Sequence, residues 1–148
     1  MSVKALSTRL GEIRVGNPGI REVDMGALAS QGQRDEVRER VRDLSAEAEI
    51  VFGGADDFDV VDADRDRGAF FMPTLLHCEK PLSSKAVHSV EAFGPVSTVL
   101  PYDSLDEAIE LAKLGERRFA VTTANVLENE GVHVRRERAR WPHAAHRA

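Results

Sequence analysis

The sequence predicts an α/β fold, a mostly parallel sheet flanked by helices, and three observations carry that expectation. Two stretches, 31–48 and 104–114, place apolar residues at helical spacings of three and four behind a serine followed three residues later by Gln or Glu. Short apolar runs bounded by glycine, proline or charged residues (Ile50 to Phe52, Ala69 to Leu76, Val96 to Leu100, Phe119 to Ala124) read as strands. The order strand, helix, strand after residue 96, with a helix of about ten residues between, implies parallel pairing through a right-handed crossover.

Ser2 precedes Val3, Leu6, Leu10 and Ile13, one apolar stripe on a helix that Ser2 caps. Gly16, Asn17, Pro18 and Gly19 then make a loop. Ser30 with Gln33 opens the next helix, in which Val37, Val41, Leu44 and Ala48 form the apolar stripe. Arg34, Asp35, Glu36, Arg38, Glu39, Arg40, Arg42 and Asp43 cover the remaining surface, which reads as a solvated face. Ile50 to Phe52 reads as a short buried strand stopped by Gly53 and Gly54.

Asp56, Asp57, Asp59, Asp62, Asp64 and Asp66 form the most acidic stretch and invite a calcium reading. The register fails: with Asp62, Asp64 and Asp66 as the first ligands of an EF-hand, Arg67 and Pro73 stand where glycine and glutamate are needed. The stretch reads instead as a surface excursion, a hairpin with Val60 and Val61 inward. Ala69 to Leu76 reads as a strand with Pro73 at an edge or bulge. His77 and Cys78 are adjacent, so on a strand they face opposite ways, and Cys78 reads as a structural thiol rather than a nucleophile. Adding His88 gives no recognised metal spacing, so no metal site is expected. Pro81 to Ser89 carries a short helical turn, and Ser104 with Glu107 caps a last helix with the stripe Leu105, Ala108, Ile109 and Ala112, ending at Gly115.

Between these elements lies Val90 to Val96, VEAFGPV. Glu91 and Phe93 are two residues apart, so on an extended segment a carboxylate and a ring project to one side. Gly94 and Pro95 fix the exit direction into the strand. Such a pair can offer an acceptor and a flat apolar surface to one ligand; pattern alone favours an edge-strand turn.

The chain has 148 residues, 42% of them hydrophobic and 30% charged, which suits one domain burying about 70% of its unfolded surface. No apolar run approaches the ~20 residues of a membrane span, and 1–13 lacks a signal-peptide core, so a cytoplasmic location is expected. A single cysteine excludes an internal disulfide. The net charge of −5 divides into +4 over residues 132–148 and −9 over the rest, and an acidic body argues against a nucleic-acid partner. Residues 1–124 therefore read as the domain, and 125–148, without sustained period, as a divergent basic tail; a GC-rich coding region read in another frame yields such a composition.

Four landmarks carry a resemblance: VGNP (15–18), MGALAS with QRDEV (25–37), GAFFMPTLL (68–76) and VEAFGPVSTVLPYDSLDEAIELA (90–112). In this order they are similar to part of the catalytic domain of the aldehyde dehydrogenase superfamily, over roughly residues 3–124. VHSVEAFGPVSTVLPY further resembles the branch acting on CoA-linked semialdehydes in aromatic-acid breakdown, including the bifunctional ring-opening protein of phenylacetate degradation. The resemblance implies an NAD- or NADP-dependent oxidoreductase in which Glu91 accepts hydrogen bonds from the nicotinamide ribose and Phe93 lies against the nicotinamide end.

The same resemblance bears on what this chain can do alone. In the family the reactive cysteine, the glutamate general base and the dinucleotide-binding domain lie upstream of the matched region, and no G-x-G-x-x-G occurs here. Cys78 does not match the reactive position. No catalytic residue is thus assigned, no dinucleotide is expected to bind to the chain by itself, and an inactive fragment is the leading expectation. The alternative is a non-catalytic interaction module, pairing with a missing amino-terminal half or with itself through exposed strand edges.

Overall fold

The computed structural model describes residues 2–115 and the backbone of 123–125 and 133–135. Helix α1 (Val3–Gly11) begins where the Ser2 hydroxyl accepts the Ala5 N–H, the cap its sequence calls for. Its stripe is half-buried and contributes no fully buried residue. Helix α2 (Gln31–Ser45) carries the buried face of the molecule: Val37, Val41 and Leu44, with Ala48 just beyond its end, are all buried. The spacing of four, three and four residues keeps them on one side of the helix.

That side lies on a three-stranded sheet of order β1-β2-β3, made of β1 (Glu49–Phe52), β2 (Thr74–His77) and β3 (Val96–Val99). Leu44 and Ala48 pack with Leu76, Cys78 and Val87; Val37 and Val41 pack with Phe71; Val96 touches both groups. The α/β class is as expected, while the sheet is mixed: β2 runs antiparallel to β1 and parallel to β3. The expected burial of β1 gives way to an edge strand, Ile50 being 37% exposed, and its register slips at Val51 as in a bulge. Gly53 and Gly54 end it with φ of +77° and +73°, a conformation that suits glycine, and a Cβ on Gly53 would strike the Pro73 carbonyl oxygen.

Ala69, Phe70, Phe71 and Pro73 are buried and Met72 half-buried, yet none is strand, and β2 starts only at Thr74. Proline explains the later start, since Pro73 has no N–H for a ladder. Pro95 stands in the same relation to β3, and Thr74 and Val96 face each other as the first pair. The Thr74 N–H donates to the Pro95 carbonyl at 2.9 Å. Buried Thr74 is satisfied twice, its hydroxyl donating to Met72 O at 3.0 Å and accepting from Gly54 N–H at 3.1 Å.

Residues 55–68 do not form the expected hairpin. They trace a loop whose Val61 bridges Gly16, where a Cβ would lie 2.2 Å from the Val61 carbonyl oxygen. The loop docks on the charged side of α2, so that side is not simply solvated: the Arg34 side chain is only 16% exposed and its Nη1 donates to Gly68 O at 3.2 Å. Arg38 pairs with Asp56 at 2.7 Å.

A 3-10 turn (Pro81–Ser83) and α3 (Ala86–Ser89) come after β2, and α4 (Leu105–Leu114) comes after β3. The Ser104 hydroxyl accepts from Glu107 N–H at 3.2 Å, and the Glu107 carboxylate reaches back to Asp103 N–H at 2.8 Å. Helix α4 is formed as expected but turned otherwise: Ala108 and Leu111 are buried, whereas Leu105 is 62% and Ile109 44% exposed. Beyond it, β4 (Thr123–Asn125) pairs antiparallel with β5 (His133–Arg135) in a separate sheet instead of continuing in parallel from β3. The expected strand portion 119–122 and most of the tail lie outside the described residues.

Candidate functional site

The segment carrying Glu91 and Phe93 leaves α3 at Val90, whose N–H closes on Ala86 O at 2.8 Å and whose backbone is extended. Residues 91–95 are not a regular strand. The Gly94 N–H donates to Ala92 O and the Val96 N–H to Gly94 O, each at 2.8 Å, so two successive three-residue turns are centred on Phe93 and Pro95. The presentation of the two side chains therefore comes from turn geometry rather than from strand alternation. Both are open at the surface: Glu91 is exposed and Phe93 is 58% exposed.

Gly94 has an ordinary negative φ, so conformational freedom is not its reason for being glycine. Space is. A Cβ there would lie 2.8 Å and 3.0 Å from the two γ-methyl groups of Val37, closer than packed carbons approach. The turn thus sits directly on the buried face of α2.

Helix α2 holds the 85–96 segment at both ends. Just past its last turn, the Glu47 carboxylate accepts from the N–H groups of Lys85 and Ala86, each at 2.7 Å. At its first turn, Gln33 accepts the Ala29 N–H at 3.0 Å through Oε1 and donates to Phe93 O at 2.7 Å through Nε2. At 1.5 Å per residue the two holding points are about 20 Å apart along the helix. The capping pattern identifies Gln33 as a helix-start residue; its bond across 60 positions to Phe93 leaves no local signal.

An exposed carboxylate beside an exposed ring can accept from a pair of hydroxyls and lie against a flat heteroaromatic group. As arranged it forms an open wall. A charge-assisted hydrogen bond contributes about 1.5–3 kcal/mol and micromolar affinity needs about 8, so the hydrogen bonds of one carboxylate do not by themselves reach micromolar affinity.

The other places singled out by sequence are structural in their contacts. Cys78 is fully buried, with Sγ 3.2 Å from the Ser84 hydroxyl. His77 and Cys78 are successive residues at the end of β2, and His88 Nε2 lies 2.7 Å from Pro81 O. The acidic loop and α2 enclose a cleft lined by Arg34, Arg38, Arg65, Asp56, Asp57 and Phe58. Within it Arg38 pairs with Asp56 and Arg65 with Asp57, and the hydrogen bond that Arg65 donates to Asp57 raises the Arg65 pKa. Among the described residues no group of three or more His, Cys, Asp or Glu side chains could hold a metal ion, and no helix is long and apolar enough to cross a membrane.

Known proteins resemble the chain in sequence and in fold. The Aldehyde dehydrogenase family matches residues 2–120. The chain is 44% identical over 111 residues to 3,4-dehydroadipyl-CoA semialdehyde dehydrogenase of Aromatoleum evansii, covering 75% of this chain and 22% of that protein. It is 43% identical over 99 residues to Protein MaoC of Klebsiella aerogenes, covering 66% of this chain and 28% of the relative. Among solved structures, betaine aldehyde dehydrogenase from Staphylococcus aureus in complex with NAD+ superposes with a TM-score of 0.62 at 34% identity, over 74% of this chain and 21% of that one. The chain thus spans between a fifth and three tenths of the length of these proteins.

Proposed function

We propose that this chain, which belongs to the aldehyde dehydrogenase family, is the part of an NAD(P)-dependent dehydrogenase catalytic domain that forms one wall of the cofactor site. The substrate we infer is a CoA-linked semialdehyde of aromatic-acid degradation, the phenylacetate route included. The observation that carries the reading is the 44% identity to a relative named 3,4-dehydroadipyl-CoA semialdehyde dehydrogenase, whose name gives a CoA-linked semialdehyde as substrate. Glu91 then accepts hydrogen bonds from the nicotinamide ribose, and Phe93 limits where the nicotinamide end can lie. Both roles suit an exposed acceptor and an exposed ring held on one anchored turn.

Oxidation of an aldehyde needs a thiolate to attack the carbonyl, donors for the oxyanion and a base to release the acyl group. NAD(P), when bound, supplies the hydride acceptor. This chain's own contribution is orientation: its two side chains set the position of the acceptor relative to a substrate held by other parts of a complete domain. Alone it is inactive and binds no dinucleotide tightly. The single buried thiol and the acidic body fit a cytoplasmic protein that does not act on nucleic acid.

Exposed Leu105, Ile109 and Leu114 favour a second reading beside it, that the chain is an interaction module whose partner is the amino-terminal remainder of such a domain. Self-association through strand edges competes with that pairing. Incubating the purified chain with NAD or NADP and a panel of aldehydes, CoA-linked semialdehydes included, is expected to give no turnover. Adding a separately expressed amino-terminal part of the Aromatoleum evansii relative is expected to restore it. Turnover by the chain alone would overturn the first reading, and the absence of both co-elution and activity on mixing would overturn the second.

A further inference from the structure

The backbone of the Glu91–Phe93 turn is held by a residue sixty positions away whose two amide atoms do different jobs. We propose that Gln33 is a positioning residue for the cofactor-facing turn, acting through the Phe93 carbonyl and separately from its part in starting α2 behind the Ser30 cap. The functional weight of this rests on the reading of Glu91 and Phe93 as cofactor contacts; the positioning itself does not.

Phe93 C=O and Gly94 N–H belong to the same planar peptide unit. Its carbonyl end accepts from Gln33 Nε2 at 2.7 Å, and its N–H end donates to Ala92 O at 2.8 Å. With both ends bonded the plane cannot rotate, which fixes ψ of Phe93 and φ of Gly94 and hence the direction in which the ring leaves the chain. One helical turn after Gln33, on the same side of α2, Val37 meets Gly94 so closely that no Cβ fits between them. Residues i and i+4 of α2 therefore grip the turn at two adjacent points, one polar and one apolar.

The second amide atom faces the other way. Gln33 Oε1 accepts from Ala29 N–H at 3.0 Å, while the Gln33 N–H is taken by the Ser30 hydroxyl at 3.1 Å. These two bonds start the helix, and a glutamate would serve them as well, since they need only an acceptor and a backbone N–H. The bond to Phe93 needs a donor, which a carboxylate lacks at neutral pH. Glutamine satisfies both requirements at once; glutamate satisfies one.

Hydrogen–deuterium exchange on the full chain, without cofactor, separates the two jobs. Gln33→Glu is expected to speed exchange in 91–96 about five-fold, the loss of one hydrogen bond of about 1 kcal/mol, while 29–37 keeps its wild-type rate. Gln33→Ala is expected to speed both segments. Wild-type exchange at 91–96 in Gln33→Glu overturns the proposal, as does equal acceleration of both segments in that variant, the mark of a cap alone. Because no dinucleotide is present, failure of the cofactor reading leaves this result unaffected. Its functional consequence is read in the complemented enzyme, where Gln33→Glu is expected to raise KM for the dinucleotide several-fold more than it lowers kcat.

Discussion

Helices α2 and α4 begin with the same device and end in opposite situations. Each is opened by a serine hydroxyl bonded to the N–H three residues on, with the Gln or Glu at that position reaching back to the residue before the cap. Each carries an apolar stripe at three- and four-residue spacing. In α2 the stripe is buried along its whole length. In α4 Leu105 and Ile109 remain exposed, and burial falls on Ala108 and Leu111 instead. Capping and periodicity thus settle that a helix forms, whereas the direction it faces depends on neighbours elsewhere in the chain or outside it.

That contrast is open to test. Leu44→Ala in α2 removes a buried side chain shared with Leu76, Cys78 and Val87 and is expected to cost about 2–5 kcal/mol in denaturant unfolding. A cost below about 1 kcal/mol would mean that this stripe does not organise the core. Gly94→Ala forces a methyl against Val37 and is expected to cost about 1–3 kcal/mol. Combined with Val37→Ala, part of that loss should return, and a double-mutant cycle showing strict additivity would contradict the close approach.

Ser30→Ala and Ser104→Ala are expected to cost about 1 kcal/mol each, since the caps are alike. A large difference between the two, read by helicity and thermal midpoint, would show that the helices differ at their starts as well. Ile109→Ala is expected to change stability by no more than about 0.5 kcal/mol in the isolated chain. In the proposed pairing with an amino-terminal part of such a domain, the same substitution should weaken association measurably, and a large loss in the chain alone would show that the α4 face is already covered.

Much of this structure was legible from local patterns. The caps at Ser2, Ser30 and Ser104, the stripe of α2, the glycine stop after Phe52 and the strand after Pro95 all rest on interactions a few residues long. What escaped depends on distant contacts. The charged side of α2 holds down the acidic loop through Arg34 and Arg38, a role that charge alternation cannot reveal. Ile50 is at an edge because its strand has one neighbour among the described residues, and Ala69 to Phe71 are buried without being strand because proline delays the ladder. At the candidate site, the carboxylate, ring, glycine and proline were visible as a motif, but not the reason for the glycine, which lies in Val37, nor the hold of Gln33 on the turn.

The paired prolines before β2 and β3 have a consequence for how the sheet assembles. Neither Pro73 nor Pro95 has a donor, so both strands begin flush, at Thr74 opposite Val96. Sliding one strand back by a residue would ask a proline nitrogen for a proton it does not have, and would also turn Leu76 out of its place beside Val87. The misaligned pairings that trap parallel strands during folding are thereby penalised at their first bond. Two residues that donate nothing act as the gauge against which the sheet aligns itself.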